Sequence, residues 1–184
     1  MGCQVLGYAG LRSGIVKNIR TMVSVVLVQP LIPPNTGNIA RTCAATQTPL
    51  HLVGPLGFEL SDRYLKRAGL DYWPHVDLHC HGTWADFQTH HQQQGGRLIG
   101  FTTQGQHSYL EFNFAPPDLL LFGRETEGLP PSVLAVCDAT VYIPISHSHV
   151  RSLNLSVSAA LGLFEARRQL DLLNFPRPPR RSDA

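Results

Sequence analysis

The sequence predicts an α/β fold, with a mostly parallel β-sheet flanked by helices. Short apolar, β-branched runs alternate along the chain with helix-like segments, as expected when the strands of a parallel sheet are buried on both faces. The 184 residues are 43% apolar and 15% charged, which is typical of a globular domain. We expect one domain over residues 23–174, a mobile N-terminal extension over 1–22 and a disordered, basic, proline-rich tail over 175–184.

Five strands follow from the apolar runs. The first, Val23 to Val28, is continuously apolar except for one serine and ends at Gln29-Pro30. The other four are predicted at Leu50 to Val53, Leu98 to Thr102, Leu119 to Phe122 and Thr140 to Ile143.

Helices are predicted between these strands and after the last one. Three of them are expected at Asn38 to Thr46, with Asn35 or Thr36 as its cap, at Ser61 to Ala68, and at Thr83 to Gln94. The final helix is the clearest, because apolar residues recur at spacings of three and four and so predict an apolar face. That face consists of Leu153, Val157, Ala160, Leu161 and Phe164.

Composition argues against several classes of protein. The formal net charge is only +2, which does not by itself indicate a nucleic-acid binder. No apolar stretch approaches the roughly 20 residues that cross a bilayer, so no membrane association is expected. The four cysteines form no C-x-x-C pair, which favours reduced thiols and a cytoplasmic location. The histidines of the middle segment match no metal-ligand spacing such as H-E-x-x-H, so we expect no metal.

Three loops, each between a strand-like run and a helix-like segment, carry the candidate chemistry. They span residues 33–38, 121–130 and 151–156. In the first loop the prolines restrict the backbone, and Gly37 permits close approach of a ligand. Arg41 follows in the next helix, where its planar guanidinium is suited to bind a phosphate or ribose oxygen. The dinucleotide-binding G-x-G-x-x-G and the P-loop signature are both absent from the sequence.

Taken in order, these motifs resemble the SPOUT class of RNA methyltransferases. Within that class the chain is similar to the small, single-domain tRNA (cytidine/uridine-2′-O-)-methyltransferases of the wobble nucleotide. The resemblance runs from about residue 23 to residue 170. It rests on I-P-P-N-T-G-N-I-x-R at 32–41, P-L-G-F at 55–58, L-K-R-A-G-L-D-Y at 65–72, L-F-G-x-E-T-x-G-L-P at 121–130, and Ile143-Pro144 followed by R-S-L-N-L-S at 151–156.

The resemblance implies a fold, a cofactor and a reaction. The fold would include a C-terminal trefoil knot, an exception to the rule that chains do not thread loops. The cofactor would be S-adenosyl-L-methionine, bound at Phe101, Gly123, Ile143, Ser152 and Leu153. The reaction would be methylation of the ribose 2′-hydroxyl of the wobble cytidine or uridine in tRNA.

The residues implied to act on the RNA are Asn35, Arg41, Glu125, Ser152 and Asn154. An arginine pKa above about 12 makes Arg41 a costly base. We therefore expect Arg41 to orient a phosphate or the 2′-oxygen and to stabilise developing negative charge. Asn35 and Asn154 would hold the ribose, and Glu125 would orient Arg41 or a nearby amide.

The same resemblance implies a homodimer that completes each site. Because one copy carries little net charge, two copies would pool basic residues to bind tRNA, and Arg63, Lys66 and Arg67 are the predicted patch. Alternatives are the same reaction on another RNA, a non-catalytic RNA- or cofactor-binding module of this fold, and, more remotely, a histidine-based metal hydrolase. The preferred tRNA, the preferred pyrimidine and the choice of Met1 or Met22 as start stay open.

Overall fold

The computed structural model describes residues 22–58 and 72–174. Within them, seven parallel strands form one sheet in the order β3-β2-β1-β6-β4-β7-β5. The strands are β1 (Ser24–Val28), β2 (Leu50–Val53), β3 (Leu78–His81), β4 (Leu98–Phe101), β5 (His107–Ser108), β6 (Leu119–Phe122) and β7 (Ala139–Tyr142).

Helices cover both faces of this sheet. They are α1 (Pro33–Thr46), α2 (Trp84–Gln94), α3 (Pro131–Leu134) and α4 (Leu155–Gln169), and a 3₁₀ turn spans Trp73–His75. One apolar cluster joins α1 and α4 to one face, and a second cluster joins α2 and α3 to the other. The predicted α/β class with a parallel sheet flanked by helices is therefore confirmed. No helix in the described ranges combines the length and the apolarity that crossing a bilayer requires.

The five predicted strands are confirmed to within a residue or so at their ends, but β3 and β5 were not predicted. The sequence of β3 is Leu-His-Cys-His, and β5 has only two residues. Both strands lie at the edges of the sheet, where one side lacks a neighbouring strand. They therefore lack the continuous apolar run by which a central strand such as β6, Leu-Leu-Leu-Phe, is detected.

Helix α1 begins earlier than predicted and is capped differently. Its N-cap is Ile32, with no side-chain cap, and Pro33 and Pro34 occupy its first positions. Proline suits the start of a helix because its φ is already helical and its missing N–H would have no partner there. Asn35 and Thr36 consequently lie buried in the first turn and do not cap it, so that prediction is wrong. The side chain of buried Asn35 does not cap the helix, so its amide can bond to groups outside the helix.

Helix α2 follows the sequence prediction closely. Thr83 is its N-cap: the Thr83 hydroxyl accepts a bond from the Asp86 amide at 3.2 Å, and the Asp86 carboxylate accepts one from the Thr83 amide at 2.8 Å. This reciprocal capping box fixes where the helix starts. The helix predicted at Ser61 to Ala68, and residues 1–21 and 175–184, lie outside the described residues.

The orientation of α4 corrects the predicted apolar face. Val157, Leu161 and Phe164 are 46%, 37% and 46% exposed, so they do not pack into the core. Half of the buried residues of α4 are small, namely Ala159, Gly162 and Ala166, and Gly162 lies so close to the sheet that a Cβ there would be 2.5 Å from the Phe101 ring. Small residues allow the helix to approach the sheet closely, which leaves the larger apolar stripe facing outward.

Four histidines form a cluster on the outer strands, which sequence spacing did not predict. His51 of β2 stacks on His79 and His81 of β3, with ring centroids 4.7 and 5.3 Å apart, and His90 of α2 lies 5.2 Å from His81. Nδ1 of His51 is 3.0 Å from Nε2 of His81. In the described ranges no group of three or more His, Cys, Asp or Glu side chains is arranged to hold a metal ion.

Burial shifts the protonation of this cluster. Burial and, to a smaller extent, the neighbouring imidazoles together lower the pKa of His51 to about 3 and that of His81 to about 4, while Asp77 opposes the shift at His51 and Asp86 opposes it at His81. The pKa of His90 is lowered for the same reasons. His51, His81 and His90 are therefore neutral in the folded protein at pH 7.

We predict that acid destabilises the fold through His51. His51 has a pKa of 6.5 in the unfolded chain and of about 3 in the folded protein, so between these pH values only the unfolded chain is protonated there. The free energy of unfolding therefore falls as the pH falls from 6.5 to about 3. For this buried residue the loss between pH 7 and pH 5 is up to about 2 kcal/mol. Urea unfolding across this range should show a shallower pH dependence for His51→Gln than for wild type. The exposed His75→Gln is the control, and equal slopes for all three proteins would contradict the prediction.

Candidate active site

The candidate site lies where three loops meet at the carboxyl ends of neighbouring strands. Residues 29–32 follow β1, residues 123–130 follow β6, and residues 143–154 follow β7. β1 pairs directly with β6, and β4 lies between β6 and β7. Because all strands are parallel, their carboxyl ends share one edge, which is the usual ligand-binding edge of an open α/β sheet.

A chain of side-chain hydrogen bonds connects the three loops. Asn35 donates from Nδ2 to Oε1 of Glu125 at 3.0 Å, and Asn154 donates from Nδ2 to Oδ1 of Asn35 at 3.0 Å. Asn154 also caps α4, accepting at Oδ1 from the amide of Ser156 at 2.9 Å. Residues separated by about 90 and 120 positions are thus brought into one polar group.

The Glu125 carboxylate is the acceptor that organises the first loop. Besides Asn35, it accepts from the backbone amides of Leu31 at 2.9 Å and Ile32 at 3.1 Å. Partial burial alone would raise the pKa of Glu125, but these hydrogen bonds outweigh it and lower the pKa. Glu125 is therefore ionised at neutral pH, with most of its acceptor capacity already used.

A cavity of about 370 Å³ opens beside this polar chain, and Glu125 forms part of its wall. Its volume falls in the range of small-molecule sites, roughly 300–1,000 Å³. All five predicted cofactor residues line the cavity: Phe101, Gly123, Ile143, Ser152 and Leu153. Residues that the sequence did not single out also line it, among them Thr102, Gln104, Ile145, Leu155 and Ser158.

The packing of its own loop explains why residue 123 is glycine. A Cβ at Gly123 would overlap the backbone of Gly128 and Leu129, so the loop itself excludes any larger residue. Gly128 has a φ of 72°, in the left-handed region that favours glycine. The two glycines thus allow a tight loop along the cavity. Gly37, expected to lie in a loop, is instead inside α1.

Arg41 lies on the exposed side of α1 and is not part of the cavity wall. Its guanidinium carbon is 4.6 Å from the ring centroid of Tyr72, whose hydroxyl donates to the carbonyl of Gly37 at 2.7 Å. The hydrogen-bond partners of Glu125 are Asn35 and the backbone amides of Leu31 and Ile32. The predicted RNA patch of Arg63, Lys66 and Arg67 lies outside the described residues.

Two arginines at the site were not proposed as site residues from the sequence. Arg124 and Arg151 both line the cavity. Arg151 is exposed beside Ser152, and Arg124 bonds across to the end of β1. Because Gln29 lies 95 positions away from Arg124 in the chain, no local spacing signal indicates that contact.

Comparison with known proteins agrees with this architecture. Residues 22–164 match the model of the SpoU rRNA Methylase family. A Burkholderia ambifaria protein named tRNA (cytidine(34)-2′-O)-methyltransferase is 43% identical over 150 residues, covering 80% of this chain and 96% of that protein. A Synechocystis protein, provisionally given the same name, is 60% identical over 149 residues, covering 81% of this chain and 97% of that protein.

Solved structures show the same fold. One, described as giving structural insights into 2-OH methylation of C/U34 on tRNA, has a TM-score of 0.75 at 50% identity and covers 82% of this chain and 92% of its own. The SpoU methyltransferase AviRb from Streptomyces viridochromogenes, in complex with AdoMet, has a TM-score of 0.73 at 26% identity and covers 82% of this chain and 61% of its own. With the family match spanning most of its length, the present chain belongs to the SpoU rRNA Methylase family.

Proposed function

We propose that this protein transfers a methyl group from S-adenosyl-L-methionine to the ribose 2′-hydroxyl of the wobble cytidine or uridine of tRNA. The observation that carries the proposal is that Glu125 belongs both to the cavity wall and to the polar chain with Asn35 and Asn154. The cavity for the cofactor would therefore lie next to the side chains that bind the ribose, Asn35 and Asn154. Family membership and relatives named for this activity support the choice of reaction.

The cavity residues fit the cofactor in size and in chemistry. Phe101, Ile143 and Leu153 supply apolar surface for an adenine ring, and Thr102, Gln104 and Ser158 add polar groups to the lining. When bound, S-adenosyl-L-methionine supplies an electrophilic methyl on a positively charged sulfur. The protein then has to hold the 2′-oxygen in line with that methyl and to lower the cost of losing its proton.

Asn154 is positioned to hold the ribose. Its amide group has two N–H donors, of which one bonds Asn35. Because Asn154 is exposed, the second N–H is available to a ribose oxygen. Asn35, 6% exposed, is held by Glu125 and in turn fixes Asn154. The ionised Glu125 thus acts by orienting the two amides, and Ser152 lies at the junction with the cavity.

Arg41 would contact the RNA and not the cofactor, since it lies outside the cavity wall. Stacking on Tyr72 leaves the edge of the guanidinium available for two parallel hydrogen bonds to phosphate or ribose oxygens. A positive charge there stabilises negative charge developing on the 2′-oxygen. Arg63, Lys66 and Arg67 remain the proposed additional tRNA contacts on sequence grounds.

We also propose a homodimer built on the exposed stripe of α4. Val157, Leu161 and Phe164 succeed one another at helical spacing, and two further exposed apolar residues, Leu31 and Ile32, lie in the loop bound by Glu125. A second copy would bury apolar surface that is otherwise in water. The proposed trefoil knot and cytoplasmic location rest on the family resemblance and on cysteine usage, respectively.

The reaction is tested by incubating the protein with labelled S-adenosyl-L-methionine and tRNA that lacks the modification, followed by nucleoside mass spectrometry. We expect 2′-O-methylcytidine or 2′-O-methyluridine from position 34. Label in another RNA would favour the first alternative, and cofactor binding without transfer to RNA would favour a non-catalytic module. Label on a base would contradict ribose methylation.

Arg41→Lys tests the orienting role of the arginine. Lysine keeps the charge but cannot form two parallel bonds, so turnover should fall by about tenfold, the equivalent of one strong hydrogen bond. Cofactor affinity should stay near wild type because Arg41 does not line the cavity. Steady-state kinetics and calorimetric titration measure the two effects. Wild-type turnover with unchanged RNA affinity in Arg41→Lys would contradict the orienting role of Arg41.

Charged substitutions on α4 test the dimer. Leu161→Glu combined with Phe164→Glu should convert a dimer to a monomer in sedimentation analysis, because carboxylates are costly to bury at an apolar interface. Val136→Glu is the control, since Val136 is similarly exposed but follows α3 on the opposite face of the sheet. A monomeric wild type, or a double variant that stays dimeric, would contradict this interface.

A further inference from the structure

Arg124 links the two loops that carry the polar chain. It donates from Nη2 to Oε1 of Gln29 at 2.6 Å and from Nη1 to Oε2 of Glu127 at 2.7 Å. Its backbone pairs with Gly128 in both directions, at 3.0 and 2.9 Å. One residue therefore closes the loop that follows β6 and attaches it to the end of β1.

The neighbouring residue makes a parallel set of contacts. Glu125 binds the amides of Leu31 and Ile32, and Arg124 binds Gln29, so two consecutive residues hold one short stretch, 29–32. Gln29 has a φ of 54° and lies in the left-handed region, where β1 ends. A non-glycine residue rarely adopts that backbone conformation, and the bond from Arg124 holds the Gln29 side chain in place.

We infer that Arg124 is a positioning residue for the proposed methyl transfer, which sets the placement of Glu125 and, through Glu125, of Asn35 and Asn154. The inference rests on the proposed function. The guanidinium is suited to this because its two Nη atoms reach Gln29 and Glu127 at once, which the single nitrogen of lysine does not. Although Arg124 also lines the cavity, the proposed role is exerted through Glu125.

Arg124→Lys and Gln29→Ala test the inference. Each should lower turnover at saturating cofactor and tRNA by about tenfold, the effect of losing one charge-assisted hydrogen bond, while the dissociation constant of S-adenosyl-L-methionine changes by less than about threefold. The matched control is Arg97→Lys. Arg97 forms a similar fork with Asp118, but at the amino end of β4 and away from the site. It should keep wild-type turnover.

A readout independent of activity is hydrogen exchange in the peptide covering 29–34. Positions 30, 33 and 34 are prolines without N–H groups, so beyond Gln29 only the amides of Leu31 and Ile32 report, and these are the amides bound to Glu125. Exchange there should accelerate in Arg124→Lys and in Gln29→Ala, but not in Arg97→Lys.

Unchanged turnover and exchange in Arg124→Lys would overturn the inference, and so would wild-type turnover and exchange in Gln29→Ala. A tenfold loss of cofactor affinity in Arg124→Lys with unchanged exchange would also overturn it, because Arg124 would then be a cofactor contact. If wild-type protein transfers no methyl group to tRNA, the proposed function fails, and the exchange data alone still decide whether Arg124 positions Glu125.

Discussion

The candidate site depends on one partly buried electrostatic arrangement, the ionised Glu125 carboxylate held between Asn35 and the amides of Leu31 and Ile32. A carboxylate with three donors keeps its charge despite partial burial, and losing any donor would leave part of that charge uncompensated. Since the donors belong to a different loop from the acceptor, this one group determines how the two loops are placed. Asn154 joins the same arrangement through Asn35.

The sheet makes that arrangement feasible. β6 pairs with β1, so the loops that follow the two strands emerge side by side. Both strands are almost entirely buried, with apolar clusters on each face, and such strands provide a rigid base for polar loops. The cavity lies along the same edge, between loops that follow β4, β6 and β7. Specificity for a ligand is therefore concentrated in loops, and stability is concentrated in the strands below them.

Much of the fold could be predicted because local patterns matched their surroundings. The central strands appear as apolar runs, and α2 appears with its capping residue Thr83. The edge strand β3 could not be predicted, since its histidines belong to a cluster whose other members, His51 and His90, come from β2 and α2. The start of α1 was predicted too late because Asn35 resembles a capping residue, whereas the structure uses it within the site.

The sequence by itself determined the fold class and the family resemblance and predicted the loops of the candidate site, because those features follow from short motifs and local periodicity. Only the tertiary structure decided the pairing of Glu125 with Asn35, the link from Arg124 to Gln29 and the outward orientation of Val157, Leu161 and Phe164. The physical reason is the same in each case. Such contacts join residues that are distant in the chain, or depend on which face of a helix can approach the sheet closely. The local spacing of residues in the sequence carries no information on either.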